Sequence, residues 1–176
     1  RDYALIGKER HDIGRPDDQG YPIRGIVKGD FIYIKNFEPN RWPAGNPETG
    51  YLNTDGSPTK TVILNDRRED GTSKYWNWAF GKRPEEEMYN RRTDPECMHN
   101  LAEDPKYQRQ KAHMQKLMVK ELTRQGDPRM FGRGDIFDEY IYADLKTQDF
   151  YNRYMRGEKM NAGWVNPGDF EKGVIE

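Results

Sequence analysis

Two alternating runs joined by a short turn constrain this chain more than any other feature. Ile23, Gly25 and Val27 alternate with Arg24 and Ile26, and Phe31, Tyr33, Lys35 and Phe37 alternate with Ile32, Ile34 and Asn36. A period of two sends successive side chains to opposite faces of a strand, and Lys28-Gly29-Asp30 supplies the turn between the runs. Residues 21–27 and 31–37 are therefore expected to form a β-hairpin.

The other elements read outward from that hairpin. Asp2-Tyr-Ala-Leu-Ile-Gly7 is a short apolar run expected as a strand. It begins close to Arg1, so its neighbours are expected in a sheet built elsewhere. Residues 8–20 are polar and turn-rich, with Pro16, Asp17, Asp18 and Gly20. Residues 38–58 are broken by Pro39, Pro43, Gly45, Pro47, Gly50, Gly56 and Pro58, and irregular loops of that length are often functional. Residues 59–65 fit a strand or a short helix, residues 75–81 a short helix ended by Gly81, and residues 86–90 a short strand. The strongest helix spans residues 105–125. Asp104 stands at its N-cap and Pro105 at its first position, and Gly126 is placed to stop it. Tyr107, Met114, Leu117, Met118 and Leu122 form its apolar stripe. Residues 144–157 are expected to be helical, and the last 20 residues an extended surface tail.

Leu, Ile, Val and Phe together number 29 of 176 residues, below the roughly 20% at which disorder is suspected. Disorder also wants high net charge and few rings, whereas this chain has a net charge of -1 with 4 Trp, 11 Tyr and 7 Phe. The expectation is a folded chain whose core is thin in aliphatics, rich in rings and completed by something outside it. The balanced charge argues against a general nucleic-acid binder. No run approaches the roughly 18 apolar residues that a membrane span needs. Cys97 stands alone, so no internal disulfide or cysteine-based zinc site is expected. There is no signal peptide, and the first residue is Arg1 rather than Met, as in numbering that starts inside a longer precursor.

A complete catalytic set is missing. There is no Gly-x-Ser-x-Gly elbow, glycine-rich phosphate loop or His-x-x-x-His pair. His113 lies to one side of the helix stripe and reads as solvent-facing, and His99 reads as a structural loop residue. His11 differs, because it follows Lys8-Glu9-Arg10 directly after a strand end, where α/β enzymes place their sites. A Lys, Arg and His cluster could hold a sulfate or phosphate; the alternative is a solvated charged loop. Asp17-Asp18 and the pair Asp135 and Asp138 lack the calcium-loop pattern, and Asp17-Asp18 reads as turn chemistry. Trp42, Trp76 and Trp78 either stack on sugar rings or pack as core.

Glu87-Met88-Tyr89-Asn90, then Asp94-Pro95-Glu96, then Asn100-Leu101-Ala102 ahead of an amphipathic helix resemble the C-terminal segment of the sulfatase family. Upstream, a strand ending in Gly, a polar loop with His, and Asn36-Phe37-Glu38-Pro39-Asn40-Arg41-Trp42-Pro43-Ala44-Gly45 are similar to heparan N-sulfatase and related bacterial enzymes. The resemblance covers about residues 2–139. Asn90, Met88 and Arg91 depart from the family pattern at three positions. Cys97 is followed by Met-His-Asn-Leu, not by the x-Pro-x-Arg from which the family makes its formylglycine.

The resemblance implies an α+β fold: a sulfatase C-terminal subdomain, with a small antiparallel sheet packed on one long helix. It implies that residues 1–20 supply the last strand and active-site loop of a catalytic α/β domain lying outside this chain. Residues 21–143 would form the subdomain and residues 144–176 the tail. It implies sulfuric ester hydrolysis on a sulfated carbohydrate, with an N-terminal sulfatase portion as partner and no nucleic acid or membrane. The calcium ion and the formylglycine nucleophile would lie in that portion, and no residue of this chain is assigned to a metal. His11 would hydrogen-bond the sulfate or the leaving oxygen. Lys8 and Arg10 would bind the anionic sugar, and Arg41 and Trp42 would line the cleft. The compartment implied is periplasmic or secreted. Two alternatives stay open: a non-catalytic module that binds sulfated glycans, and a phosphonate or phosphodiester hydrolase of the same superfamily.

Overall fold

The computed structural model describes residues 2–173 and 175. In chain order its elements are β1 (Tyr3–Lys8), β2 (Ile23–Lys28), β3 (Phe31–Asn36), α1 (Pro58–Asp70), α2 (Lys74–Phe80), β4 (Glu86–Asn90), α3 (Gln108–Arg124), α4 (Ile136–Glu139) and α5 (Phe150–Met155), with short 3-10 turns between several of them. They gather into a sheet unit (residues 1–9, 22–38 and 84–139) and a loop-rich unit (residues 10–21, 39–83 and 140–176).

The sheet unit is α+β, with four antiparallel strands in the order β1-β2-β3-β4. The hairpin forms with Lys28 opposite Phe31, which narrows the turn to Gly29-Asp30. Because the pleat has period two, one residue from each strand meets the next in a single row: Leu5 opposite Ile26, Ile26 opposite Tyr33, Tyr33 opposite Met88. Ile26, Tyr33 and Met88 are fully buried. Met114, Met118 and Leu122 of α3, four residues apart, lay their stripe on that row, and Ala102 closes it. Each such side chain contributes about 1.5–3 kcal/mol over leaving it in water. Gly25 is required by close approach: a Cβ there would lie 2.8 Å from the Tyr33 carbonyl and 2.9 Å from the Ile6 side chain.

The expectation that the first strand joins a sheet built elsewhere is corrected. β1 pairs with β2 along its whole length, from Tyr3 opposite Lys28 to Lys8 opposite Ile23. The reason is a contact made across the 9–22 loop: Leu5 continues the apolar row that Ile26 begins. On the opposite side, β4 meets the Asn100 side chain. Its Oδ1 accepts from the Met88 and Ala102 amides at 2.9 and 3.0 Å, and its Nδ2 donates to the Glu86 carbonyl at 3.0 Å. The Leu101 amide donates to the Met88 carbonyl at 2.7 Å. The long helix begins as expected, with the Asp104 carboxylate accepting from the Lys106 amide. Pro105–Tyr107 is a 3-10 turn before α3 proper, and Gly126 ends the helix at φ +76.

In the loop-rich unit, residues 59–65 belong to α1, which Ser57 caps and Pro58 starts. Ser73 caps α2, whose Trp76 and Phe80 turn inward. They pack with Trp42, Ala44, Tyr51 and Leu64. Trp42 and Trp76 meet edge to face at 5.8 Å. The irregular 38–58 segment is held by the Arg15 guanidinium, which donates to the carbonyls of Trp42 at 2.7 Å and Pro43 at 2.9 Å. A second cluster joins Ile13, Leu52, Phe150 and Ala162. Methionines fill the core of the sheet unit, and rings fill much of that of the other. The expected surface tail is also corrected, because Ala162 and Asp169 are buried. Within residues 144–157, only α5 is an α-helix. No helix among the described residues is long and apolar enough to cross a membrane.

Asp169 is held by Lys60 of α1, at 3.2 Å, with both side chains 1% exposed. The Lys60 ammonium also donates to the carbonyls of Gly50 at 2.8 Å and Thr54 at 2.6 Å. Burial pulls the Lys60 pKa down against the opposing pull of Asp169. Lys60→Ala leaves that carboxylate buried without its cation, and is expected to cost about 3–5 kcal/mol in urea unfolding. Asp169→Asn, which keeps the shape and removes the charge, should cost less.

Candidate functional site

β1 delivers Lys8 and Glu9, and the chain then continues as Arg10-His11-Asp12. Lys8 and Glu9 belong to the sheet unit, whereas Arg10, His11, Arg41 and Trp42 belong to the loop-rich unit.

In the sheet unit, Leu5, Ile6, Gly7, Lys8, Glu9, Arg24 and Leu122 line an open groove of about 410 Å³. Its charge is set by a network that sequence reasoning did not find. The Arg24 guanidinium reaches Asp127 Oδ2 at 2.5 Å and Glu9 Oε1 at 2.5 Å, while Arg129 holds the other side of Glu9 at 2.6 Å. The remaining Arg24 nitrogen donates to the carbonyls of Ile23 at 2.9 Å and Lys8 at 3.3 Å. Arg129 also lies over the rings of Phe37 and Phe137. Burial opposes charge on Arg24, but bonds from Asp127 and Glu9 outweigh it and raise its pKa. Burial likewise opposes charge on Asp127, and Arg24 together with the Arg129 amide holds its carboxyl below the ordinary value. The one local signal was Asp127-Pro128, where Asp127 caps a 3-10 turn.

In the loop-rich unit, Arg10 donates to the carbonyls of Asp18 at 3.0 Å and Tyr140 at 2.8 Å, and stacks over Tyr142 at 5.5 Å. Its guanidinium is therefore engaged in shaping the loop. His11 is exposed, and its side chain makes no hydrogen bond among the described residues. Asp12 accepts from the Ile13 amide and the Tyr142 hydroxyl. Arg41 donates to the Gly20 carbonyl at 3.0 Å. Trp42 is 7% exposed and packs on Trp76, so it takes the core-packing alternative. Asp17 and Asp18 sit at φ 55 and 52, in agreement with turn chemistry.

His113 is exposed, as its place beside the stripe implies. His99 is exposed too, and its amide donates to Asp94 Oδ2 at 2.8 Å. Burial pushes the Cys97 thiol up, away from a thiolate nucleophile. No group of three or more His, Cys, Asp or Glu among the described residues is placed to hold a metal ion.

The Arg24 network makes a measurable contribution. Arg24→Ala leaves Glu9 and Asp127 sharing Arg129 alone, and is expected to cost about 3 kcal/mol in denaturant unfolding. Because the folded Asp127 pKa is depressed, its stabilisation is present in full above about pH 4 and is lost as pH falls through the lower folded value. Asp127→Asn should flatten that acid limb of the stability profile.

No family model matches the chain. Over 131 residues, 72% of this chain and 20% of the relative, it is 29% identical to an ulvan-active sulfatase of Formosa agariphila. Over 112 residues, 64% of this chain and 41% of the relative, it is 52% identical to an uncharacterized protein of Haemophilus influenzae. The chain thus spans about a fifth and about two fifths of these two relatives, and what it shares with the first is one region of a sulfatase.

Proposed function

We propose that this chain is the C-terminal part of a formylglycine-dependent sulfatase, and that with an N-terminal catalytic portion it hydrolyses sulfate esters or N-sulfates of a sulfated glycan. One observation carries the reading. The Glu87-to-Ala102 motifs that resemble the family's C-terminal segment help build the sheet unit: Met88 in the core row, Asn100 splinting β4, Leu101 and Ala102 against it, and α3 following directly. The similarity to one region of the Formosa agariphila enzyme supports it. The compartment that follows from this reading is periplasmic or secreted.

In this reading calcium and formylglycine belong to the N-terminal portion. This chain's own residues bind and donate. His11, exposed and without an internal partner among the described residues, offers its imidazole to the sulfate or the departing oxygen. Lys8, at the end of β1, and Arg10 offer cations to the anionic sugar. Arg41 is a further candidate contact for the same substrate.

In the assembled enzyme, His11→Ala should lower kcat on a sulfate ester by roughly 10²–10⁴-fold. Lys8→Ala should act mainly on KM. An unchanged kcat in the His11 variant would remove its role. Hydrolysis of phosphate diesters with no hydrolysis of sulfate esters would favour the phosphodiesterase alternative.

A further inference from the structure

The helix α2 presents two faces of opposite character. Trp76 and Phe80, four residues apart, enter the core, while Tyr75 and Trp78, three apart, face outward at 51% and 48% exposure. Single exposed apolar side chains are ordinary, but adjoining exposed rings make a contiguous patch of the kind that serves an interface or a ligand. These two are ordered against each other edge to face, with centroids 5.6 Å apart at 85°. The Lys74 ammonium lies over both, 4.9 Å from the Tyr75 centroid and 5.7 Å from that of Trp78. Arg83 folds back to donate to the Trp78 carbonyl. Neither the Trp78 indole N–H nor the Tyr75 hydroxyl is used by any described residue, so both can reach an outside acceptor.

The near-zero net charge of the chain hides a local excess. From Gly71 to Pro84 there are three cations, Lys74, Lys82 and Arg83, and no acid; Glu69 and Asp70 close α1 just before this stretch, where Arg67 and Arg68 also stand. The glutamates that follow are engaged within the sheet unit: Glu85 by Lys35, Glu86 by Tyr33 and Lys111, and Glu87 by Asn36 and Tyr89. Adjacent rings suit the C–H faces of pyranose units, whereas fixed ammonium and guanidinium groups suit sulfate. A neutral sugar would use only the rings, and an acidic peptide would use only the cations.

We propose that the Tyr75–Trp78 ridge, with Lys74 and Arg83, holds a sulfated polysaccharide strand by sugar stacking and sulfate pairing. The proposal takes the sulfated-glycan class from the function proposed above and assigns it a surface on this chain. It assigns these outward rings the sugar-stacking role, whereas Trp42 and Trp76 serve the core.

The test is titration calorimetry of the full chain with dextran sulfate, with uncharged dextran and with duplex DNA as a second polyanion. Binding to dextran sulfate is expected, falling as salt rises, with little binding to the other two. Trp78→Ala and Lys74→Ala should each weaken it by about tenfold, while Trp78→Phe, which keeps a ring, should retain most of it. No binding to dextran sulfate, equal binding to DNA, or full binding in both alanine variants would overturn the proposal. Hydrolysis of 4-nitrophenyl sulfate by the assembled enzyme is read separately. Hydrolysis without polysaccharide binding overturns the ridge alone, and binding without hydrolysis overturns the sulfatase reading while supporting the ridge.

Discussion

The sheet unit depends on the row from Leu5 through Ile26 and Tyr33 to Met88 and on the stripe of Met114, Met118 and Leu122 that covers it. Register and packing reinforce each other there. A slip of one residue in any strand would turn its member of the row to the other face and leave a hole under α3. Methionine does much of the filling, because its unbranched thioether adapts to the irregular gap between a twisted sheet and a helix. Tyr33 completes the row while sending its hydroxyl to Glu86 at 2.5 Å, so the largest core residue leaves no unsatisfied polar atom.

The loop-rich unit solves a different problem. Its segments lack strand ladders, so many backbone carbonyls need other donors. Two buried cations supply them. Arg15, 1% exposed, spans the carbonyls of Trp42 and Pro43, and Lys60 spans those of Gly50 and Thr54 together with the Asp169 carboxylate. Around these the rings of Trp42, Tyr51, Trp76 and Phe80 form the apolar mass. A chain poor in aliphatics can fold this way because one cation organises several carbonyls at once and aromatic rings fill large volumes.

What the sequence discloses follows the range of the interaction. The hairpin, α3 with its Asp104 cap, and the turn at Asp17-Asp18 rest on neighbours a few residues apart, and all three were legible. The placement of β1 was not, because Leu5 finds Ile26 only once the loop between them has closed. Nor were the Arg24 network with Asp127 and the Lys60 pair with Asp169, where isolated charges give no periodic signal. Trp42 illustrates the same limit: its burial depends on Trp76, far along the chain. Of the candidate site, the exposure of His11 fits its reading, while the carbonyl contacts of Arg10 lie beyond any pattern in the residues around it.

Asn100 has a further effect on how the molecule comes together. A bare sheet margin invites another strand, from the same chain or a neighbour, and so invites aggregation. Here an amide side chain occupies the margin of β4 by imitating a peptide group, and residue 101 follows with a true backbone bond. That segment runs straight into the long helix, so one continuous stretch of chain both seals the margin and supplies the helix that covers the sheet. The margin of β4 is thus blunted by the chain's own next segment, which leaves fewer backbone groups open to a foreign strand.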